Sequence, residues 1–157
     1  MKTFKYYILV LVLSLACGHY KLFAQDKIYE ESLACLNLTS QVDKLIKASQ
    51  IQTDKDLIFR FLLCFDAKYI NAAELKQYSN EILFKLLEDY PKLILEIMSL
   101  NKDKIPWKNI NVEISSPIND IINLDDILKN IEAISGYDDV KRDVINALTI
   151  AKDKLKK

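Results

Sequence analysis

A chain of 157 residues carries 22 basic and 22 acidic side chains, one histidine, two glycines and three cysteines. That balance excludes the concentrated basic surface a nucleic-acid binder needs, and so few glycines exclude a glycine-rich phosphate cradle. The length allows one domain with a modest core, and the scarcity of turn-forming residues predicts long helices.

The first element is an address. Lys2 and Lys5 precede fifteen uncharged residues from Tyr6 to Tyr20, and Lys21 ends the run. As a helix the run spans about 22 Å against roughly 30 Å for a bilayer core, too short for a permanent span and typical of a secretory signal peptide. Leu22-Phe23-Ala24 places a small residue ahead of the polar Gln25 and Asp26, so the expected cut lies between Ala24 and Gln25 and removes residues 1–24.

A competing cut lies before Cys17. Ser14-Leu15-Ala16-Cys17 resembles the lipobox of bacterial lipoproteins, although Ser14 stands where that pattern usually has leucine. The resemblance implies diacylglycerol on Cys17 and a lipid-anchored envelope protein. On either cut the processed chain has no transmembrane span and meets a membrane only through lipid on Cys17. The expected location is periplasmic or extracellular, with membrane anchoring as the alternative.

The remaining 133 residues, 25–157, lose Lys2, Lys5 and Lys21 but no acid, so 19 basic side chains face 22 acidic ones. Their basic concentration, Lys152, Lys154, Lys156 and Lys157, suits the negative end of a helix dipole. Apolar stripes and caps predict helices at 27–50, 54–67, 72–89, 91–101, 117–135 and 138–156. Thr53 with Asp56 and Asn71 with Glu74 read as acidic capping boxes, the second stapled by Ile70 and Leu75. Pro91 and Pro117 fit first helical positions, Gly136 fits a left-handed helix end, and Asp138 opens the last helix. The fifth helix has a candidate break at Asn123-Leu124-Asp125, with Asp125 as the new cap.

"LIFRFLLCF" (57–65) and "KLILEIMSL" (92–100) are apolar nearly all round, which predicts two central helices. Val140, Val144, Ile145, Leu148, Ala151 and Leu155 form one stripe, the pattern of an outer helix covering the bundle. Short helices opened by proline also resemble HEAT or armadillo repeats. "IFRFLL" (58–63) echoes "LFKLLE" (83–88), but no third copy follows, and a solenoid needs about three repeats. The expected fold is all-α: a single domain forming an irregular bundle of about five to six helices, with a short HEAT/armadillo-like helical array as the alternative.

The exception is "KDKIPWKNINVEISS" (102–116), read as a long irregular loop. Ile110, Val112 and Ile114 alternate with polar residues as in a half-buried strand, yet no partner strand exists. Long loops are often functional, and this one holds Trp107 directly after Pro106. Pro106 and Trp107 are therefore the candidate contact surface; the competing reading has Trp107 plugging the side of the bundle.

Cys35 and Cys64 both lie on core-facing stripes. A tight hairpin turning near Thr53 would leave them on the order of 9 Å out of level, while a bridge requires Cα atoms within about 7 Å. A disulfide therefore needs a kink or an offset connection, and two buried thiols are the alternative.

Catalytic motifs are absent. His19 falls within the leader or, if the cut precedes Cys17, in a tether ahead of the fold, so the folded domain has no imidazole for nucleophilic triads, zinc or acid–base work, and no metal or cofactor is expected. Glu30-Glu31, Glu88-Asp89, Asp125-Asp126 and Asp138-Asp139 are adjacent pairs that point about 100° apart on a helix and read as exposed faces. Asn37-Leu38-Thr39 matches a glycosylation acceptor, relevant only to a eukaryotic secretory host. The functional expectation is an exported, non-enzymatic protein-interaction module with an unknown protein partner and no nucleic acid. The alternatives are a lipoprotein anchored through Cys17 and an enzyme whose carboxylates converge only in the fold.

Overall fold

A computed structural model describes residues 30–66, 73–119 and 122–155, and among these there are helices and connections but no strand. The seven α-helices are α1 (30–47), α2 (Lys55–Leu63), α3 (Ala73–Asp89), α4 (Pro91–Leu100), α5 (Trp107–Ile114), α6 (Leu124–Glu132) and α7 (Asp138–Leu155), with a 3-10 turn at Ile51–Thr53. The chain is an all-α bundle, and the described residues hold one helix more than the sequence predicts. The leader residues Cys17, Ala24 and Gln25, and the Ile70-Asn71 cap, lie outside the described residues.

α4 occupies the centre, packed against α2, α3, α6 and α7. Ile94, Leu95, Ile97 and Met98 are all buried, as the all-round apolar pattern demands, and Pro91 opens the helix where its missing N–H costs no hydrogen bond. α2 contributes Leu57, Ile58, Phe61 and Leu62, with the Phe61 and Phe65 rings edge to face at 5.3 Å. The richest inner face belongs to α3, where Leu75, Ile82, Leu83, Phe84, Leu86 and Leu87 are buried. α7 covers the outside through Val140, Val144, Ala147, Leu148 and Ala151, while Leu155 of the predicted stripe, the last residue of the helix, is exposed.

Most of the buried apolar side chains form one core running from Val42 and Ile46 of α1 to Ala151 of α7. A separate small cluster consists of Cys35, Cys64 and Leu75, with Leu38 packed against it. Cys35 and Cys64 are joined by a disulfide with Cα atoms 5.6 Å apart. Between residue 47 and Lys55 the chain passes through a turn and the 3-10 segment. That offset absorbs the axial mismatch a tight hairpin at Thr53 would have left.

The irregular loop expected at 102–116 is corrected: Trp107–Ile114 is helical. Ile110 and Ile114 are buried and Val112 is exposed, because residues four apart share a helix face and residues two apart do not. With no neighbouring strand to accept its backbone hydrogen bonds, the segment satisfies them internally.

Three caps also differ. Asp54, not Thr53, caps α2, its carboxylate accepting from the Leu57 N–H at 2.8 Å. The helix expected at 117–135 begins only at Leu124, so Pro117 lies in a connection, and Asn123 rather than Asp125 caps α6 by accepting from the Asp126 N–H. Gly136 is left-handed at φ 87° but lies three residues past the Ala133 cap, in the turn to α7. Tyr137 and Ser49 are left-handed as well. Ser49 ends α1 in the manner of a Schellman motif, with its N–H on the Ile46 carbonyl and the Gln50 N–H on the Leu45 carbonyl, both at 2.9 Å.

Candidate contact surface

Pro106 sets the start of α5: its carbonyl accepts from the N–H groups of Asn109 at 2.9 Å and Ile110 at 3.1 Å. That places Trp107 on the first turn, half-buried against the main core. Its indole Nε1–H donates to Asp143 Oδ2 of α7 at 3.0 Å. Lys102, from the α4–α5 turn, donates to the same carboxylate oxygen at 3.1 Å and to Asp139 at 3.2 Å. The Lys102 ammonium also stands 5.3 Å from the centre of the indole ring, within cation–π range. Trp107 is thus half-buried, its ring held between the bundle and a charged cluster.

The charges reinforce one another. Burial pushes the Asp143 carboxyl up, but the hydrogen bonds from Lys102 and Trp107 outweigh it and hold the group below the ordinary aspartate value. Burial also draws Lys102 down, and its bonds to Asp143 and Asp139 more than reverse this. Asp139 is held down first by the Val140 backbone N–H at the start of α7 and then by Lys102.

From this cluster a groove of about 390 Å³ runs between α5 and α7, lined by Lys108, Asn111, Val112 and Ser115 on one side and Asp143, Asn146, Ala147 and Ile150 on the other. Val112 is 53% exposed and Ile150 50% exposed. Beside them Asn111 Oδ1 is buried with no hydrogen-bond partner. The groove thus mixes polar side chains with the apolar Val112, Ala147 and Ile150.

A second polar centre, unanticipated from the sequence, joins α1 to α3. Asp43 is buried and accepts hydrogen bonds from Lys47 at 2.6 Å, Tyr78 at 3.1 Å and Lys85 at 3.3 Å. Burial pushes its carboxyl up, but these three donors outweigh it and the group is held below the ordinary value. Burial and then the bond to Asp43 push the Tyr78 hydroxyl up, while Asp43 holds Lys47 above the usual lysine range. The one sequence sign of this centre is the four-residue spacing of Asp43 and Lys47, which reads equally as an exposed ion pair.

A third centre pins α5 to α3. The Asn80 amide donates to the Glu113 carbonyl and to its Oε2, both at 3.1 Å, and its Oδ1 accepts from the Ile118 N–H at 3.2 Å. Lys76 pairs with the other Glu113 oxygen at 3.2 Å. Both ends of the Asn80 amide are satisfied, and the cluster holds α5 and the segment after it against α3.

The adjacent carboxylates of the sequence do not come together in a cleft. Glu88, Asp89, Asp125, Asp126, Asp138 and Asp139 are exposed, and Asp125 pairs with Lys152. A shallow depression of about 170 Å³ includes Glu81 and Glu88. These lie seven residues apart on α3, roughly 10.5 Å along the axis. Among the described residues no group of histidine, cysteine, aspartate and glutamate side chains is arranged to hold a metal ion. No described helix is long and apolar enough to cross a membrane. Asn37 is exposed on α1, whereas Thr39 is buried with its hydroxyl on the Cys35 carbonyl. No protein-family model matches the chain, and neither the curated proteins nor the solved structures contain a match.

Proposed function

We propose that the chain is an exported, non-enzymatic helical protein that acts by contact, gripping an apolar ridge of a protein partner in the α5–α7 groove beside Trp107. The observation that carries this reading is the pair Val112 and Ile150, half-exposed in one groove whose lining includes Asp143, the carboxylate that accepts the Trp107 indole N–H. Large apolar side chains held outside a core are costly to leave in water, and a clamped aromatic beside them supplies rigid contact area at little entropic cost. Export is supported by the apolar leader and by the Cys35–Cys64 bridge, since disulfides persist in oxidising compartments.

Val112→Asp and Ile150→Asp alter exposed positions, so both variants should fold as the wild type does by circular dichroism. Immobilised wild-type protein is expected to retain a specific partner from the exported fraction of its own cells, and both variants to lose it. Equal retention by the variants would sink the contact reading. The leader is tested separately by intact mass: an N-terminus at Gln25 without an acyl chain gives a soluble exported protein. Diacylglycerol on Cys17 would instead give the membrane-anchored lipoprotein.

A further inference from the structure

We propose that the Cys35–Cys64 disulfide is a redox latch on the first half of α1, and not a brace of the main core. The two apolar clusters are the basis. The second half of α1 enters the main core through Val42 and Ile46 and is tied to α3 by Asp43. The first half packs in the small cluster of Cys35, Cys64 and Leu75, in which the bridge itself is the principal content, and touches the main core through the partly buried Leu38. Thr39 marks the boundary, its hydroxyl 3.2 Å from Ser79 on α3. A covalent bond therefore holds down the part of α1 that has the least apolar burial of its own. Beyond it Leu33 and Leu36 are already exposed, so undocking would extend that patch with Leu38 and Leu75.

The chemistry is a thiol–disulfide exchange with a dithiol reductant. One thiolate of the reductant attacks a bridge sulfur, the Cys35–Cys64 bond breaks, and the departing sulfur takes a proton. The second thiolate of the reductant then closes its own disulfide and releases the other cysteine, so two electrons pass to the bridge. Cys35 and Cys64 are 5% and 4% exposed, and in-line attack on sulfurs this buried requires α1 to lift first. The latch therefore yields slowly and only where reductant is sustained.

Hydrogen exchange read by mass spectrometry, on the full exported chain with and without dithiothreitol, tests this. Reduction is expected to lower amide protection across residues 31–40 by at least about tenfold while α4 and α7 change by less than about twofold. Reoxidation is expected to restore it. Cys35→Ser combined with Cys64→Ser should reproduce the reduced pattern without reductant. Protection lost equally in α4 and α7, or a double variant that does not fold, would make the bridge a brace of the whole core and overturn the latch. Unchanged protection at 31–40, or protection that does not return on reoxidation, would overturn it as well.

Discussion

Asp43 shows how one side chain sets the seating of a helix. Its carboxylate is buried between α1 and α3 and receives donors from Lys47, Tyr78 and Lys85. Its folded value lies below the ordinary one, so its contribution to stability is complete above the ordinary aspartate value and is lost as pH falls through the lowered folded value. Asp43→Asn should therefore flatten the acid limb of the stability profile, measured as urea midpoints from neutral pH downward. At neutral pH the loss should be about 1–2 kcal/mol, kept small because both lysines remain largely hydrated. Residues of this kind were not legible in the sequence. Asp43 and Lys47 look like any surface pair four apart, and Asn80 sits in "QYSNEIL" where nothing announces a buried amide. The partners that make them structural lie more than thirty residues away.

At the scale of elements, legibility followed the strength of the local signal. α3, α4 and α7 begin within a residue of where the reading placed them, since a proline or an aspartate marks each of the last two starts and apolar periodicity carries all three. α5 escaped because Ile110, Val112 and Ile114 fit a period of two. Trp107, Ile110 and Ile114, spaced three and four apart, are the alternative that tertiary packing selects. The groove beside Trp107 was half legible for the same reason. Trp107 could be singled out by its rarity, but the groove wall supplied by Asn146 and Ile150 depends on how α5 lies on α7. At the α6 start, the Asn123 Oδ1 accepts from the Asp126 N–H and its Nδ2–H donates to the Asp126 carboxylate. Asn123→Ala should cost about 1 kcal/mol in thermal or urea unfolding, and Asp125→Ala less, because Asp125 is not the cap.

For the whole molecule, an all-helical single core was legible because binary pattern and the near absence of glycine and proline leave few other outcomes. The satellite around the disulfide was not, since whether two core-facing cysteines meet depends on the seven-residue connection 48–54 that sets their level. A cross-link across a separation of 29 residues is worth about 3–4 kcal/mol when the whole loop is ordered by folding. If the first half of α1 undocks on reduction, the native state regains part of that freedom. Cys35→Ala with Cys64→Ala should then lower the urea-derived stability by only about 1–2 kcal/mol. A loss near the full value would point to a bridge that braces the entire fold.

The same bond has a consequence for proteolysis. It encloses the α1–α2 connection and all of α2, so a protease that cuts the exposed turn after α1 opens a loop without dividing the molecule. The nicked protein keeps its two pieces covalently joined, and α1 stays seated on its neighbours. Damage at that turn is recorded in the backbone but not in the shape.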